Sequence, residues 1–379
     1  MNTKTSISSL VFNNFTNDSR VLKEAKSLDK AGYDITIIAH GDDGLNNNEI
    51  VDTIAVRRLS FLNRKKASTL QKISAYFKYI SQAVKVVKNS NILHCHDLNT
   101  MPIAFIVKKL YNKSIKIVYD AHEYETEMNH LSKRSRKLMY FFEKRLIKLA
   151  DKVITVSDSI ADEYVKLYPF IEKPSLVLNC PPYRKSTDKK HNIFRERFKI
   201  QDSAIIFLYQ GSLSKGRGLE LILEAFQTIP NKRYTLVIMG YGELEEYTNN
   251  IANQNTNIFF HEAVSPSVLL NYTSSADIGL SIIQNTCLSY YYCLPNKMFE
   301  YIMAEIPLMV SNLPEMSKVV SQHGIGLILD ADSTEGIHQA IEKTSVLNFD
   351  QLSKNLRTTK SIFSWENQEK ELLKVYKSL

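Results

Sequence analysis

The chain has 379 residues, of which 44% are hydrophobic and 23% charged, with a net charge of +8. That length exceeds what one ordinary core fills, so two domains are predicted, and a composition near the globular average without Ser, Gln or Pro tracts excludes extended disorder. The opening MNTKTSISSLVFNNF lacks the apolar core of a secretory signal, no stretch approaches 18 uninterrupted apolar residues, and Cys95, Cys180, Cys287 and Cys293 are too few and scattered for a disulfide framework. A cytoplasmic protein is the expectation. Residues 1–185 carry 30 Lys and Arg against 19 Asp and Glu, a net +11, which leaves the remainder at −3. An anionic, extended partner is therefore expected at the first half.

In chain order, short apolar runs alternate with helical patterns: SISSLVF, a helix through Ala31, DITIIA, a long helix, NILHCHD, a helix, IKIVYDAHE, a helix, KVITVS. Strand then helix, repeated, predicts a doubly wound parallel sheet. Ligands of such sheets gather at the carboxyl ends of the strands, which puts His96, Asp97, Asp120, His122 and Ser157 on one rim. The segment SLVLNCPPYRKSTDKKHN, residues 175–192, reads as a hinge. Alternation then restarts with AIIFLYQ, YTLVIMG, NIFFHEA, DIGLSII, PLMVS and GIGLILD, giving a second Rossmann-like domain. The predicted boundaries are 1–185, 190–360, and a closing amphipathic helix in 361–379, containing Leu372, Leu373 and Tyr376, that packs back towards the first domain.

YQGSLSKGRGLELILEAF, residues 209–226, carries the strongest local signal. A strand runs into a turn with Gly211, Gly216 and Gly218, then into a helix whose Leu219, Ile222, Leu223 and Phe226 fall on one face. Free amides and the positive dipole end at such a helix start attract an anion, and Lys215 and Arg217 add charge, so a diphosphate fits. A turn shaped only by backbone geometry is the alternative. In CLPNKMFEYIMAEIP, residues 293–307, Pro295 starts another helix, and the amides of Asn296, Lys297 and Met298 are predicted to be unsatisfied donors. Glu300, one turn in, suits the two hydroxyls of a ribose, although a helix-capping carboxylate looks the same in sequence.

Eight segments carry a resemblance over nearly the whole chain: FTNDSRVLKEAKSLDKAGYDITIIA, HCHD, YDAHEYE, LADKVITVS, the strand end at Asn179, GSLSKGRGLELILEAF, ADIGLS and PNKMFEYIMAEIP. In this order they resemble the family 4 retaining glycosyltransferases, of the type that builds bacterial surface polysaccharides. The resemblance implies a GT-B fold, α/β with two Rossmann-like domains facing each other across a cleft. It places a nucleotide sugar donor in the C-terminal domain and a glycan or lipid-linked acceptor in the N-terminal one. On that mapping Arg217 takes the phosphate-binding lysine position, Glu300 holds ribose, His122 lies near the transferred sugar, and His261, Glu262 and Ala263 lie by the base. Gly211, Ser212, Tyr292, Leu294, Asn296, Lys297 and Met298 complete the donor side; Asn14, Asp18, Arg20, His96, Asp97 and Glu123 fall on the acceptor side. Two positions depart from the family pattern. Ser212 stands where an arginine follows the first glycine, leaving Lys215 or Arg217 to carry more of the charge, and Tyr292 replaces the first glutamate of a pair, so contacts to the sugar hydroxyls must differ.

Breaking a glycosyl phosphate bond builds negative charge on the leaving diphosphate. Arg217, Lys215 and two helix starts would stabilise it electrostatically, so no metal or other cofactor is expected. The Asp330-Ala331-Asp332 match to a metal-binding pair sits before a helix start, where Asp is a good cap. HCHD is a poor zinc site, because strand alternation separates Cys95 from His94 and His96. In the family's retaining chemistry the leaving phosphate takes the proton, leaving His122 a positioning role. Two basic helices bear apolar stripes read as core: Leu70, Ile73, Phe77, Ile80, Val84 and Val87, then Leu138, Phe142, Leu146 and Leu149. Their lysines and arginines predict weak peripheral contact with an anionic membrane at its inner face; without a reading motif, nucleic acid is not a partner. A sugar-nucleotide epimerase of the same architecture and a non-catalytic donor-binding subunit are the rival readings.

Overall fold

The structure is a computed structural model that describes residues 4–61, 68–129, 131–186, 191–229, 233–330 and 332–379. The chain divides into one unit of Met1–Val177 with Glu369–Leu379 and another of Leu178–Gln368.

The first unit is an eight-stranded sheet of β1 (Ser6–Leu10), β2 (Asp34–His40), β3 (Asn48–Val51), β4 (Ile54–Leu59), β5 (Ile92–His96), β6 (Lys116–Ala121), β7 (Lys152–Thr155) and β8 (Ser175–Leu176), in the order β3-β4-β2-β1-β5-β6-β7-β8. All pairs are parallel except β3 with β4. The winding direction reverses between β1 and β5, which opens a crevice at their carboxyl ends. The β3–β4 hairpin, turning at Asp52 with φ of +54°, has no counterpart in the predicted elements. The alternation in IAVRRL was its signal: Ile54, Val56 and Arg58 are buried while Ala55 and Arg57 are exposed.

The second unit holds six parallel strands, β9 (Ile205–Ser212), β10 (Tyr234–Tyr241), β11 (Ile258–Glu262), β12 (Ile278–Ser281), β13 (Leu308–Val310) and β14 (Gly326–Ile328), ordered β11-β10-β9-β12-β13-β14. Each coincides with a run read as a strand from the sequence, β9 and β10 running one or two residues past it. Reversal falls between β9 and β12. Leu219, Ile222, Leu223 and Phe226 of the Leu219–Thr228 helix are all buried with Phe207, Tyr209 and Ile238 of the sheet, as their spacing requires.

One reading of the basic helices is corrected. In the Thr69–Val87 helix, Ile80, Val84 and Val87 are core, but Leu70 is 79% exposed and Phe77 64% exposed, with Ile73 also out. Leu138 and Phe142 of the Lys133–Leu146 helix are likewise exposed, beside Phe141. A 19-residue helix is about 28 Å long, whereas a five-residue strand spans only about 17 Å, so the sheet cannot cover the first turns. Among the described residues no helix is long and apolar enough to cross a membrane. Residues 187–190 of the predicted hinge and Ala331 lie outside the described residues.

Candidate functional site

In the second unit, β9 ends in Gln210-Gly211-Ser212 and delivers the chain to the turn before the Leu219–Thr228 helix. The turn is pinned from three sides. Tyr209 Oη donates to the Ser212 carbonyl at 2.8 Å, the Lys215 amide donates to Glu243 at 3.0 Å, and the Gln284 amide, after β12, donates to the Gly216 carbonyl at 3.0 Å. Gly218, at φ +70°, caps the helix, and a Cβ there would lie 2.6 Å from the Ile282 carbonyl oxygen. Only glycine fits that approach. Lys215 is exposed, and the Arg217 guanidinium lies over the Tyr290 ring, 5.3 Å from its centroid.

The Asn296–Met303 helix enters the same place from the other side. Pro295 precedes it, and the Met298 amide donates to the Pro295 carbonyl at 3.0 Å. Met298 is thereby corrected as an unsatisfied donor: a tight first turn consumes its N–H, and the helix start presents Asn296 and Lys297 instead. Glu300 accepts a short bond from Gln210 Nε2, while Gln210 Oε1 accepts from Thr273 Oγ1 at 2.8 Å. Buried Gln210 thus fixes the carboxylate. Sequence reading overlooked it, although one polar residue ending AIIFLYQ directly before Gly211 was the visible signal. Lys297 is buried and its Nζ sits 3.6 Å from the Tyr209 ring centroid. Leu294 and Tyr292 are half-buried, Tyr292 against Tyr291. His261 is packed by Phe194, Phe198 and Tyr272, its Nδ1 2.7 Å from the Glu262 carbonyl oxygen, leaving Glu262 and Ala263 exposed at the end of β11.

In the first unit, Arg20 projects from the Ser19–Lys30 helix into a buried ionic cluster. Its guanidinium reaches both oxygens of Asp120, at 2.9 and 3.0 Å, and the Val177 carbonyl at 2.8 Å. Glu24, one turn on, has Oε1 3.1 Å from Arg20 Nε. His94 and His96, two apart on β5, stack at 4.1 Å, and Tyr376 of the Trp365–Lys377 helix brings Oη 2.9 Å from His94 Nδ1. Burial would raise the Asp120 carboxyl, yet Arg20 and then His122 hold it well below the carboxylate range. Burial pushes Glu24 up to about 7 and lowers both His94 and His96.

His122 closes the cluster at the rim. Its Nε2 lies 3.0 Å from His96 Nδ1 and 3.2 Å from Asp120 Oδ2, and its amide donates to Asp97 at 3.1 Å. Burial works against its charge, but Asp97 and Asp120 prevail and raise it to about 9. A proton on His122 Nε2 matches a neutral His96 that accepts at Nδ1 and donates from Nε2 to Ser9 Oγ, 2.9 Å away. Glu123 faces solvent. Asp18 caps the Ser19–Lys30 helix through the Val21 amide, Asn14 reaches Asp42 at 3.4 Å, and Ser157 caps the Asp158–Leu167 helix. Atoms of Glu24, His94, His96 and Asp120 lie within 4.8 Å of one another, a donor set that suits a cation. Arg20 occupies both Asp120 oxygens, so a guanidinium already supplies that positive charge. Glu24 is the member that sequence reading left out; its place four residues after Arg20 on one helix face was the available clue.

Residues 19–180 match the family described as Glycosyltransferase Family 4, and residues 190–360 match that described as Glycosyl transferases group 1. The chain belongs to the GT-B glycosyltransferases. Among relatives of this glycosyltransferase, the chitobiosyldiphosphodolichol beta-mannosyltransferase of Candida albicans is 21% identical over 397 residues, covering 94% of this chain and 84% of that protein. The sucrose-phosphate synthase of Thermosynechococcus elongatus superposes with a TM-score of 0.80 at 15% identity, over 99% of this chain and 98% of that one. Anabaena HepE in complex with UDP-glucose gives 0.76 at 12% identity, over 99% and 100%. The glycosyltransferase shares their two Rossmann-like parallel-sheet domains.

Proposed function

We propose that this glycosyltransferase takes a nucleoside diphosphate sugar, with UDP favoured, into the Leu178–Gln368 unit and transfers the sugar to a glycan or lipid-linked acceptor received by the other unit. The observation that carries the reading is the convergence of Arg217, Lys297 and the Gln210-held Glu300 on the glycine turn at the end of β9. The Arg217 guanidinium, the Lys297 amine and two helix starts suit a diphosphate, and a fixed carboxylate suits ribose hydroxyls. HepE, bound to UDP-glucose, and the Candida enzyme named for a dolichol-linked substrate support donor and acceptor class.

Charge on the leaving diphosphate is met by these side chains and amides without a metal. Asp330, one of the two aspartates that could have held one, is paired with Lys343 at 2.7 Å. Retention is the stereochemical outcome assigned, with the leaving phosphate taking the acceptor proton and His122 positioning the sugar. The exposed Leu70, Phe77, Leu138, Phe141 and Phe142, set among lysines and arginines, would rest on the anionic inner face of a membrane, where a lipid-linked acceptor is met.

The test is incubation with UDP-, GDP- and ADP-sugars and an acceptor extract, with EDTA present, assaying free nucleoside diphosphate and product anomer. Release by wild type and its loss in Arg217→Ala are expected. An altered sugar with no release would make the protein an epimerase, and an inverted product would remove retention.

A further inference from the structure

Among the described residues, Lys297 is a buried lysine whose ammonium is left without an acceptor. It is 6% exposed, and its Nζ has no hydrogen-bond partner. Its nearest polar comfort is the face of Tyr209, on β9. An ammonium with three donors and no acceptor is costly to bury. Burial first, then Arg217, lower its pKa to about 7, against the opposing pull of Glu300 on its own helix and Cys293 in the preceding loop. The amine therefore holds its proton loosely in the free protein.

Its position gives the cost a purpose. A Cβ added at Gly211 would meet Lys297 Cε at 3.8 Å, so the lysine stem runs beside the first glycine of the turn, next to Ser212. Ser212 carries no charge, and Lys215 points to solvent. The space beside Gly211 is filled from another helix.

We infer that the Lys297 amine is the diphosphate contact that stands in for a cation missing at Ser212, and that it takes up a proton from solution when the nucleoside diphosphate binds. The inference rests on the donor reading above and adds a regulation to it: donor affinity is coupled to pH. An anionic diphosphate at Nζ replaces the missing acceptor, so the charged form becomes the favoured one on binding. By linkage, affinity then weakens as pH rises above the free value and levels off once the bound amine also loses its proton.

The experiment is calorimetric titration of the full chain with UDP, GDP and ADP at about pH 8, in HEPES and in Tris, buffers that differ in ionisation enthalpy. Free nucleoside diphosphates are fully ionised there, so proton uptake belongs to the protein. Wild type should take up close to one proton and lose affinity about tenfold per pH unit above 7. Lys297→Met should bind more weakly, take up none and show no such slope, whereas Lys297→Arg, charged throughout, should bind tightly and independently of pH. Wild-type affinity in Lys297→Met, or uptake that persists in it, would overturn the inference while leaving the donor site intact. Failure of all three nucleotides to bind wild type, or full affinity in Arg217→Ala, would instead remove the donor reading.

Discussion

His122 Nε2 lies 3.2 Å from Asp120 Oδ2, and that carboxylate is simultaneously held by Arg20. A rim histidine, 21% exposed, is thereby tied to a fully buried ion pair. With Asp97 on its other flank, His122 is raised to about 9 and is an imidazolium at neutral pH.

The first prediction concerns that charge. In Asp97→Asn one of the two carboxylates facing His122 is neutralised, so the histidine should titrate closer to the unperturbed 6.5, as followed by NMR of the ring. Because the folded value lies above the unfolded one, the stability it contributes is full below about 6.5 and is lost as pH rises through about 9. A His122 that titrates unchanged in Asp97→Asn would exclude Asp97 as a source of the shift.

Asp120→Asn should be far more damaging. The side chain is fully buried, and its loss of charge leaves Arg20 facing Glu24 and two histidines without its main partner. Breaking a buried pair from one side costs about 3–5 kcal/mol, to be read from urea unfolding. Asp18→Ala, which removes a helix cap and an exposed hydrogen bond from Asn13 Nδ2, should cost about 1 kcal/mol. Equal losses would show that the cluster has no special weight.

Gln210→Leu removes the amide that holds Glu300 and the acceptor of Thr273. A hydrogen bond to a charged group contributes about 1.5–3 kcal/mol, so donor affinity should fall by about tenfold or more. Glu300→Ala should do at least as much. Glu300 would be placed elsewhere in the donor complex if Gln210→Leu bound nucleotide normally and Glu300→Ala did not.

On the basic face, co-sedimentation with anionic but not neutral liposomes is expected, lost at high salt. Replacing Phe77, Phe141 and Phe142 with serine should weaken it about tenfold or more while leaving unfolding unchanged, since these rings are exposed. Equal binding to both lipid types would sink the electrostatic part of the reading.

Periodicity alone determined the two repeated strand–helix architectures, because alternating apolar residues share one face of a strand and a three-to-four-residue spacing shares one face of a helix. Six strands of the second unit and the buried face over Leu219 to Phe226 were legible for that reason. The glycine turn was legible too, since few residues other than glycine accept its backbone. What tertiary structure decided was which side chains share a place. Gln210 and Glu300 are 90 residues apart, and Glu24, His94 and Asp120 come from three elements, so no local pattern relates them. Burial was equally invisible: the stripe from Leu70 to Val87 is regular throughout, yet the sheet ends before its first turns. The glycine turn at Gly211 shows the division most clearly. Sequence marked it as an anion site and counted the charge missing at Ser212; only the packing of a distant helix put Lys297 beside it, with a buried amine whose proton depends on what arrives.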